Sequence, residues 1–282
     1  MLLGTGLVLL ASVAHAAWNL LVKRSGAAGT PFVWLCSALA APVLVALLLV
    51  RARTTGVGTT TDWWAAVVSA GLHTVYALVL QRSYATADLG VVYPLARAGA
   101  PVLVALASIP VLHTRPSPVL WLGIAVTAVG VLLLVGGGSR RAGPAGALAG
   151  SATAVAIAAY TLWDGYAVTR LHVDIASYLA IGSLAQLAAL TLAVAPHLGR
   201  AVAVARSSWH LALPVAALVP LSYGLVLVAL QHLDVQVVVA TRSSSILAAA
   251  VLGWWLLAEP CTPRRVTGAA VLTLGVAVAA LG

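Results

Sequence analysis

The chain has 282 residues, of which 62% are hydrophobic and only 7% are charged, and its mean hydropathy is +1.07. A soluble domain carries about 25% charged residues to keep its surface hydrated, so most of this surface must face something other than water. The formal charge of +9 would suggest nucleic acid in a soluble protein, but these arginines are mostly scattered in short predicted loops, where they act as topology determinants. The composition therefore favours a polytopic membrane protein with the lipid bilayer, and no nucleic acid, as its partner.

Apolar runs long enough to cross a bilayer recur along the whole chain. An α-helix needs about 20 residues to cross roughly 30 Å of hydrocarbon. The alternating polarity of β-barrel strands is absent, so the predicted fold is all-α. The predicted transmembrane helices, ten in all, are 2–22, 31–50, 62–82, 89–112, 118–136, 145–167, 173–196, 209–231, 235–257 and 263–281.

The first of these segments can be interpreted in two ways. Its Ala14-His15-Ala16 sequence resembles the cleavage site of a secretory signal peptide. However, no positive charge precedes the apolar run, and the run continues through Val22 to full spanning length. We therefore expect a retained first helix.

Three polar or aromatic residues share one face of this first helix. His15, Trp18 and Asn19 follow one another at the i, i+3 and i+4 positions. They predict either a substrate-cavity wall with a titratable histidine or hydrogen bonds that join packed helices. In the third helix, His73 and Tyr76 are further candidates to line the same cavity.

The fourth helix carries an arginine at membrane depth. Arg97 will not deprotonate to avoid the cost of burial, so its side chain should point into the protein interior. Pro94 and Pro101 bracket it and are predicted to open the helix. Tyr93 lies one turn before Arg97 and can present its hydroxyl on the same face. Broken helices of this type often line the substrate site of a transporter.

The chain also repeats itself at a fixed displacement. Pro118, Gly123 and Gly130 recur 145 positions later, and Arg97 recurs as Arg242 at the same displacement. Two tandem halves of five helices must insert in opposite orientations, which predicts inverted repeats around a central cavity. The predicted boundaries are 1–138 for the first repeat, 139–144 for a linker and 145–282 for the second repeat. The glycines form small-residue stripes on helices 5 and 10, which we interpret as packing surfaces.

The second half supplies the remaining candidates. Arg242 is followed by three serines up to Ser245, small donors that can bind an anion or satisfy the helix. A weaker match, displaced by 142 positions, joins "AHAAWNLL" to "AIAAYTLW" and pairs Trp18 with Tyr160. Asp164, if buried, is either a proton carrier or the counter-ion of an arginine, and His15 is the second candidate for proton coupling.

Three segments resemble the EamA-type permeases of the drug/metabolite transporter superfamily. They read "HAAWNLLVK" in helix 1, "YPLARAGAPVL" in helix 4 and "LGWWLLAEPCTPRRVTGAAVLTLGV" across helices 9 and 10. The last is similar to the family's LGE-x-x-TP joint at Glu259, Thr262 and Pro263, whereas the first half has His113 to Arg115 where an acidic joint often stands. The resemblance implies ten helices in two inverted halves and export of small metabolites without ATP.

Orientation remains open at this point. Omitting Arg97 and Arg242, loops after odd-numbered helices carry nine Lys and Arg residues and loops after even-numbered helices carry four. The positive-inside rule then places both termini outside, whereas the resemblance implies cytoplasmic termini. Both the charge rule and the resemblance place the two termini on the same side of the membrane.

The sequence thus predicts a secondary transporter that moves a small anionic or zwitterionic metabolite by alternating access, with protons as the candidate coupling ion. An exporter of hydrophobic or cationic drugs is the alternative, and an intramembrane enzyme a weaker one, because no catalytic spacing supports it. We expect no enzymatic activity and no cofactor. We also expect no metal, since the two cysteines form no metal motif. The expected location is the inner or plasma membrane, and a monomer suffices, although the oligomeric state is not predicted.

Overall fold

The computed structural model describes residues 1–25, 29–86, 89–135, 144–257 and 262–282. Within these ranges all regular structure is helical, with no strand. The linker residues 139–143, Glu259 and Cys261 lie outside the described residues. The α-helices are α1 (Leu2–Ser25), α2 (Thr30–Thr54), α3 (Thr60–Thr86), α4 (Leu89–Leu112), α5 (Pro118–Val135), α6 (Pro144–Thr169), α7 (Ile175–Val194), α8 (Leu198–Ala229), α9 (Val235–Arg242), α10 (Ser244–Leu257) and α11 (Pro263–Leu281).

Long apolar helices dominate this part of the chain. Eight segments are long and apolar enough to cross a membrane, and one of them, Ile175–Ala229, runs through α7, a short 3₁₀ helix (Ala195–His197) and α8. A shorter apolar helix covers Pro118–Leu134. The described residues therefore form an all-α, membrane-embedded protein.

Two helices differ from the predicted pattern. The helix predicted to begin at 209 begins at Leu198, because the alanine- and valine-rich residues before 209 continue the helix. The ninth predicted helix is interrupted at Ser243, which separates α9 from α10. By contrast, α4 runs without interruption through Pro94 and Pro101. The break that we expected in the fourth segment is thus found in the ninth.

The largest buried cluster joins helices from all parts of the chain. Val8 of α1, Val104 of α4 and Leu227 of α8 are fully buried in it, together with Tyr178 of α7 and Val238 of α9. Many leucines and valines on the outer faces of the same helices remain exposed, as expected for surfaces that contact lipid. The first helix is thus an integral part of the core.

Helices α5 and α11 approach so closely that only glycine fits between them. A Cβ atom added to Gly123, Gly130, Gly268 or Gly275 would lie 2.3 to 2.6 Å from a backbone nitrogen of the opposite helix. The partner of Gly123 is Ala279 and that of Gly130 is Leu272, so the helices run antiparallel. The interpretation of the glycine stripes as packing surfaces is confirmed.

A polar cluster ties together two loops at one end of the bundle. Arg51 at the end of α2 forms a 2.8 Å ion pair with Asp174, which caps α7. The buried Asp62 accepts a 2.7 Å hydrogen bond from the Asp174 backbone N–H, and it also accepts the backbone N–H and hydroxyl of Thr59. Asp62 therefore fixes the start of α3 against the start of α7.

Replacing Asp62 by alanine is expected to lower the free energy of unfolding by about 1–3 kcal/mol, because the N–H groups of Thr59 and Asp174 would lose their acceptor. The measurement is unfolding of the purified protein in a denaturing detergent. Asp234→Ala is the matched control, since Asp234 is exposed and its side chain makes no capping bond. Equal stability of the two variants would contradict this role for Asp62.

Candidate functional site

The two intramembrane arginines meet at one narrow cavity in the interior. Arg97 reaches it from α4, and Arg242 reaches it from the end of α9. The cavity measures about 10 Å³, the space of a single water molecule. Its lining consists of Arg97, Ala100, Pro101, Ile157, Tyr160, Val239, Arg242 and Ser243.

Neighbouring side chains hold the Arg97 guanidinium in place. Its Nη2 lies 2.7 Å from His15 Nε2, and because arginine can only donate, that histidine nitrogen must be the acceptor. The Tyr93 ring lies 5.6 Å from the guanidinium carbon, a cation–π distance. Of the predicted site residues, His15 and Tyr93 therefore contact Arg97 directly.

The other two residues on the predicted face of α1 support His15. The Trp18 ring meets the His15 ring edge to face at 4.7 Å. The Asn19 side chain donates a 2.8 Å hydrogen bond to the His15 backbone carbonyl. Asn19 thus bonds within its own helix instead of joining two helices, and it does not line the cavity.

The interruption after α9 positions Arg242. The Ser243 N–H bonds to the Ala240 carbonyl at 3.1 Å, and α10 starts anew at Ser244. In the part of the chain that the structure describes, Arg242 makes no hydrogen bond or ion pair with a protein group. The serine that lines the cavity is Ser243, whereas the predicted Ser245 is buried nearby outside the lining.

A second polar cluster surrounds Asp164, which is only 3% exposed. Its Oδ1 accepts hydrogen bonds from the hydroxyls of Ser69 (2.7 Å) and Tyr178 (2.8 Å). Its Oδ2 lies 3.1 Å from His73 Nε2. The Tyr223 hydroxyl is 3.2 Å from that of Ser69. Asp164 is therefore buried among hydrogen-bonding groups from two helices, α3 and α7, and in the described residues no arginine contacts it.

Aromatic rings join the two clusters. The Tyr160 ring lies 4.2 Å from the His73 ring and 5.2 Å from the Tyr76 ring. Tyr160 also lines the arginine cavity. The structure thus brings His73, Tyr76, Tyr160 and Asp164 together on one side of the cavity.

Two members of this site were missed by sequence reasoning. Ser69 and Tyr178 both donate to Asp164. Ser69 could have been found, because Ser69, His73 and Tyr76 follow at helical spacing on one face of α3. Tyr178 carries no such signal, since α7 has no other candidate residue at helical spacing.

The kinds of side chain in the described residues determine which metal or cofactor they could hold. Among them, no group of three or more His, Cys, Asp or Glu side chains is arranged to hold a metal ion. The polar groups of the site are instead guanidinium, imidazole, hydroxyl and a single carboxylate. These groups suit recognition of a small polar ligand and proton transfer.

Comparisons with known proteins bear only on the fold. No family model matches the sequence, and no curated protein matches it. One crystal structure of a protein superposes with a TM-score of 0.77 over 99% of this chain and 98% of that chain, at 19% sequence identity. It is among 29 matching chains of solved structures, so the architecture also occurs elsewhere.

Proposed function

We propose that the protein is a secondary transporter of the EamA type that moves a small anionic or zwitterionic metabolite across a cell membrane. The observation that carries this proposal is the convergence of Arg97 and Arg242 on one interior cavity. Two fixed positive charges with planar donor groups suit a carboxylate, phosphate or phosphonate. Placing both charges at membrane depth would be costly in a protein without such a ligand.

The proposed architecture is ten spans in two inverted five-helix repeats. The 145-residue displacement pairs α1 with α6, α2 with α7, α3 with α8, α4 with α9 and α10, and α5 with α11. The helix contacts obey the same pairing. Helix α1 packs on α8, and their equivalents α6 and α3 also pack on each other. Helix α2 packs on α8, and their equivalents α7 and α3 do the same. The contact of Gly123 with Ala279 has its equivalent in that of Gly268 with Leu134. Such pairing supports a two-fold axis in the membrane plane, about which the halves would rock.

The alternatives find less support in the same site. An exporter of hydrophobic cations needs an accessible carboxylate, whereas Asp164 is surrounded by donors and the cavity is lined by two cations. A serine hydrolase would need a serine activated by a histidine. The Ser69 hydroxyl bonds to Asp164 instead of His73, so the nucleophile–base contact is missing.

The test is flux into proteoliposomes. Labelled pyruvate, aspartate, phosphoenolpyruvate and methylphosphonate represent the anionic and zwitterionic classes, and tetraphenylphosphonium represents hydrophobic cations. We expect uptake of at least one anion, reduced on the order of 10-fold or more by Arg97→Ala and by Arg242→Ala, since each removes a charge that faces the ligand. Arg97→Lys should fall between, because it keeps the charge but loses the planar donor pair.

The matched control is Arg53→Ala, which removes an exposed arginine at the end of α2. Its flux should equal that of the unmodified protein. Unchanged anion flux in the Arg97→Ala and Arg242→Ala variants, or transport of the cation alone, would contradict the proposal.

A further inference from the structure

The hydrogen bonds around Asp164 determine where a proton can be held. The Ser69 hydroxyl has one hydrogen and gives it to Asp164 Oδ1, so Tyr223 must donate to Ser69. Tyr178 gives its only hydrogen to the same Oδ1. With two hydroxyls donating to it, Oδ1 is not where a proton binds. Any titrating proton of this cluster is therefore shared between Asp164 Oδ2 and His73.

At 3.1 Å, the contact of Oδ2 with His73 Nε2 requires one hydrogen between the two atoms, because two acceptors would repel each other. With that hydrogen in place, the remaining position is His73 Nδ1, which has no hydrogen-bond partner in the part of the chain that the structure describes. Protonation of Nδ1 by water changes the net charge of the pair from −1 to zero. The His73 side chain is 18% exposed, against 4% for that of Asp164, so it is the more accessible of the two.

His15, the other histidine at the site, is differently placed. Its Nε2 accepts a hydrogen from Arg97 at 2.7 Å. A proton on that nitrogen would break this bond and set two cations against each other. His15 is therefore a positioning residue for Arg97.

We propose that His73 is the group that takes up the coupled proton, at Nδ1, with Asp164 as its positioning residue, and that this proton favours binding of an anion beside Arg97 and Arg242. The inference rests on the proposed transport function. Tyr160 provides the physical link, because its ring packs on His73 and lines the arginine cavity.

The sign of the coupling follows from the charges. With Nδ1 unprotonated, the pair carries −1 and repels an anion in the cavity, and with Nδ1 protonated this repulsion is lost. Proton and anion therefore bind together and move in the same direction. An inward proton gradient would drive uptake, which is the opposite of the export implied by the family resemblance.

The other titratable groups around His73 are tyrosines. Tyr160 packs on its ring from α6, and Tyr223 from α8 at 4.9 Å. Tyr178 of α7 is linked to His73 through its hydrogen bond to Asp164. Of the groups that contact His73 in the described residues, Asp164 is therefore the one carboxylate.

The experiment needs no substrate. The protein is labelled with ¹⁵N-histidine, placed in lipid nanodiscs and titrated by NMR from about pH 5 to pH 8. His73→Gln identifies the His73 signals among the seven histidines, and the others report whether the variant is folded. We expect a proton that the pair takes up to appear at His73 Nδ1, while the Nε2 hydrogen is kept.

Charge variants give shifts of opposite sign. Arg242→Gln removes a positive charge, as an anion would neutralise it, and should move half-protonation of His73 to higher pH by on the order of half a unit. Asp164→Asn removes the carboxylate and should move the pH of half-protonation of His73 lower by about one unit or more. Arg53→Gln is the matched control and should leave the pH of half-protonation of His73 unchanged.

Two results would overturn the inference: a His73 that does not titrate in this range, or an Arg242→Gln shift no larger than that of Arg53→Gln. A His73 that only packs against Tyr160 and Tyr223, and takes up no proton, would produce neither shift. Failure of the transport proposal is distinguishable, because absent anion flux with opposed NMR shifts would leave the proton site in place without a transported anion.

Discussion

Replacing Gly275 by alanine is expected to lower the free energy of unfolding by about 2–3 kcal/mol, and replacement by leucine should prevent recovery of folded protein. The added Cβ would lie 2.3 Å from the backbone nitrogen of Thr127 and 2.6 Å from its hydroxyl oxygen. Backbone cannot rotate out of the way as a side chain can, so α5 and α11 would have to separate. The measurement is unfolding of the purified protein in a denaturing detergent.

Gly71→Ala is the matched control for this prediction. Gly71 also lies within a helix, α3, but nothing lies within 4 Å of a Cβ added there. This substitution should stabilise the protein by about 0.5–1 kcal/mol, because alanine loses less backbone entropy in a helix. A Gly275→Ala variant as stable as Gly71→Ala would show that the close approach of α5 and α11 is not required.

Replacing Asp164 by alanine should cost about 3–5 kcal/mol of unfolding free energy. The change removes the acceptor of Ser69 and Tyr178 and the partner of His73 at a position where the carboxylate is buried. Asp164→Asn should cost distinctly less, because its amide oxygen can still accept from both hydroxyls. Detergent unfolding of the two purified variants measures the difference.

Ser207→Ala serves as the control for Asp164→Ala. The Ser207 hydroxyl is exposed and bonds only locally, so its removal should change stability by less than about 0.5 kcal/mol. If Asp164→Ala were as stable as Asp164→Asn, the hydrogen bonds to the carboxylate would not contribute to folding.

Much of the helical layout was predictable from the sequence, for a local reason. Whether a segment such as 31–50 can cross a membrane depends on its length and summed hydrophobicity, both of which belong to the segment itself. The glycine stripes were likewise predictable, because Gly123 and Gly130 face the same side of one helix. Helix ends and interruptions were less predictable. Ser243, for example, interrupts the ninth predicted segment although no proline marks that position.

Most residues of the candidate site were predictable, but their contacts with one another were not. Arg97 and Arg242 could be singled out because a charge at membrane depth is costly wherever the helix packs. The role of Asp164 could not, since its partners Ser69 and His73 lie 95 and 91 residues away in sequence. Which of the two roles open to such a carboxylate applies, counter-ion of an arginine or proton carrier, can be decided only when its neighbours are known.

The sequence by itself therefore determined an all-helical membrane protein with two matched intramembrane arginines. The tertiary structure decided that the arginines share one cavity and that Asp164 pairs with His73 instead of either of them. Hydrophobicity and burial cost are sums over nearby residues, so the sequence contains them. A hydrogen bond between buried groups depends on the rotation and crossing of two helices, which is fixed only when the whole bundle packs.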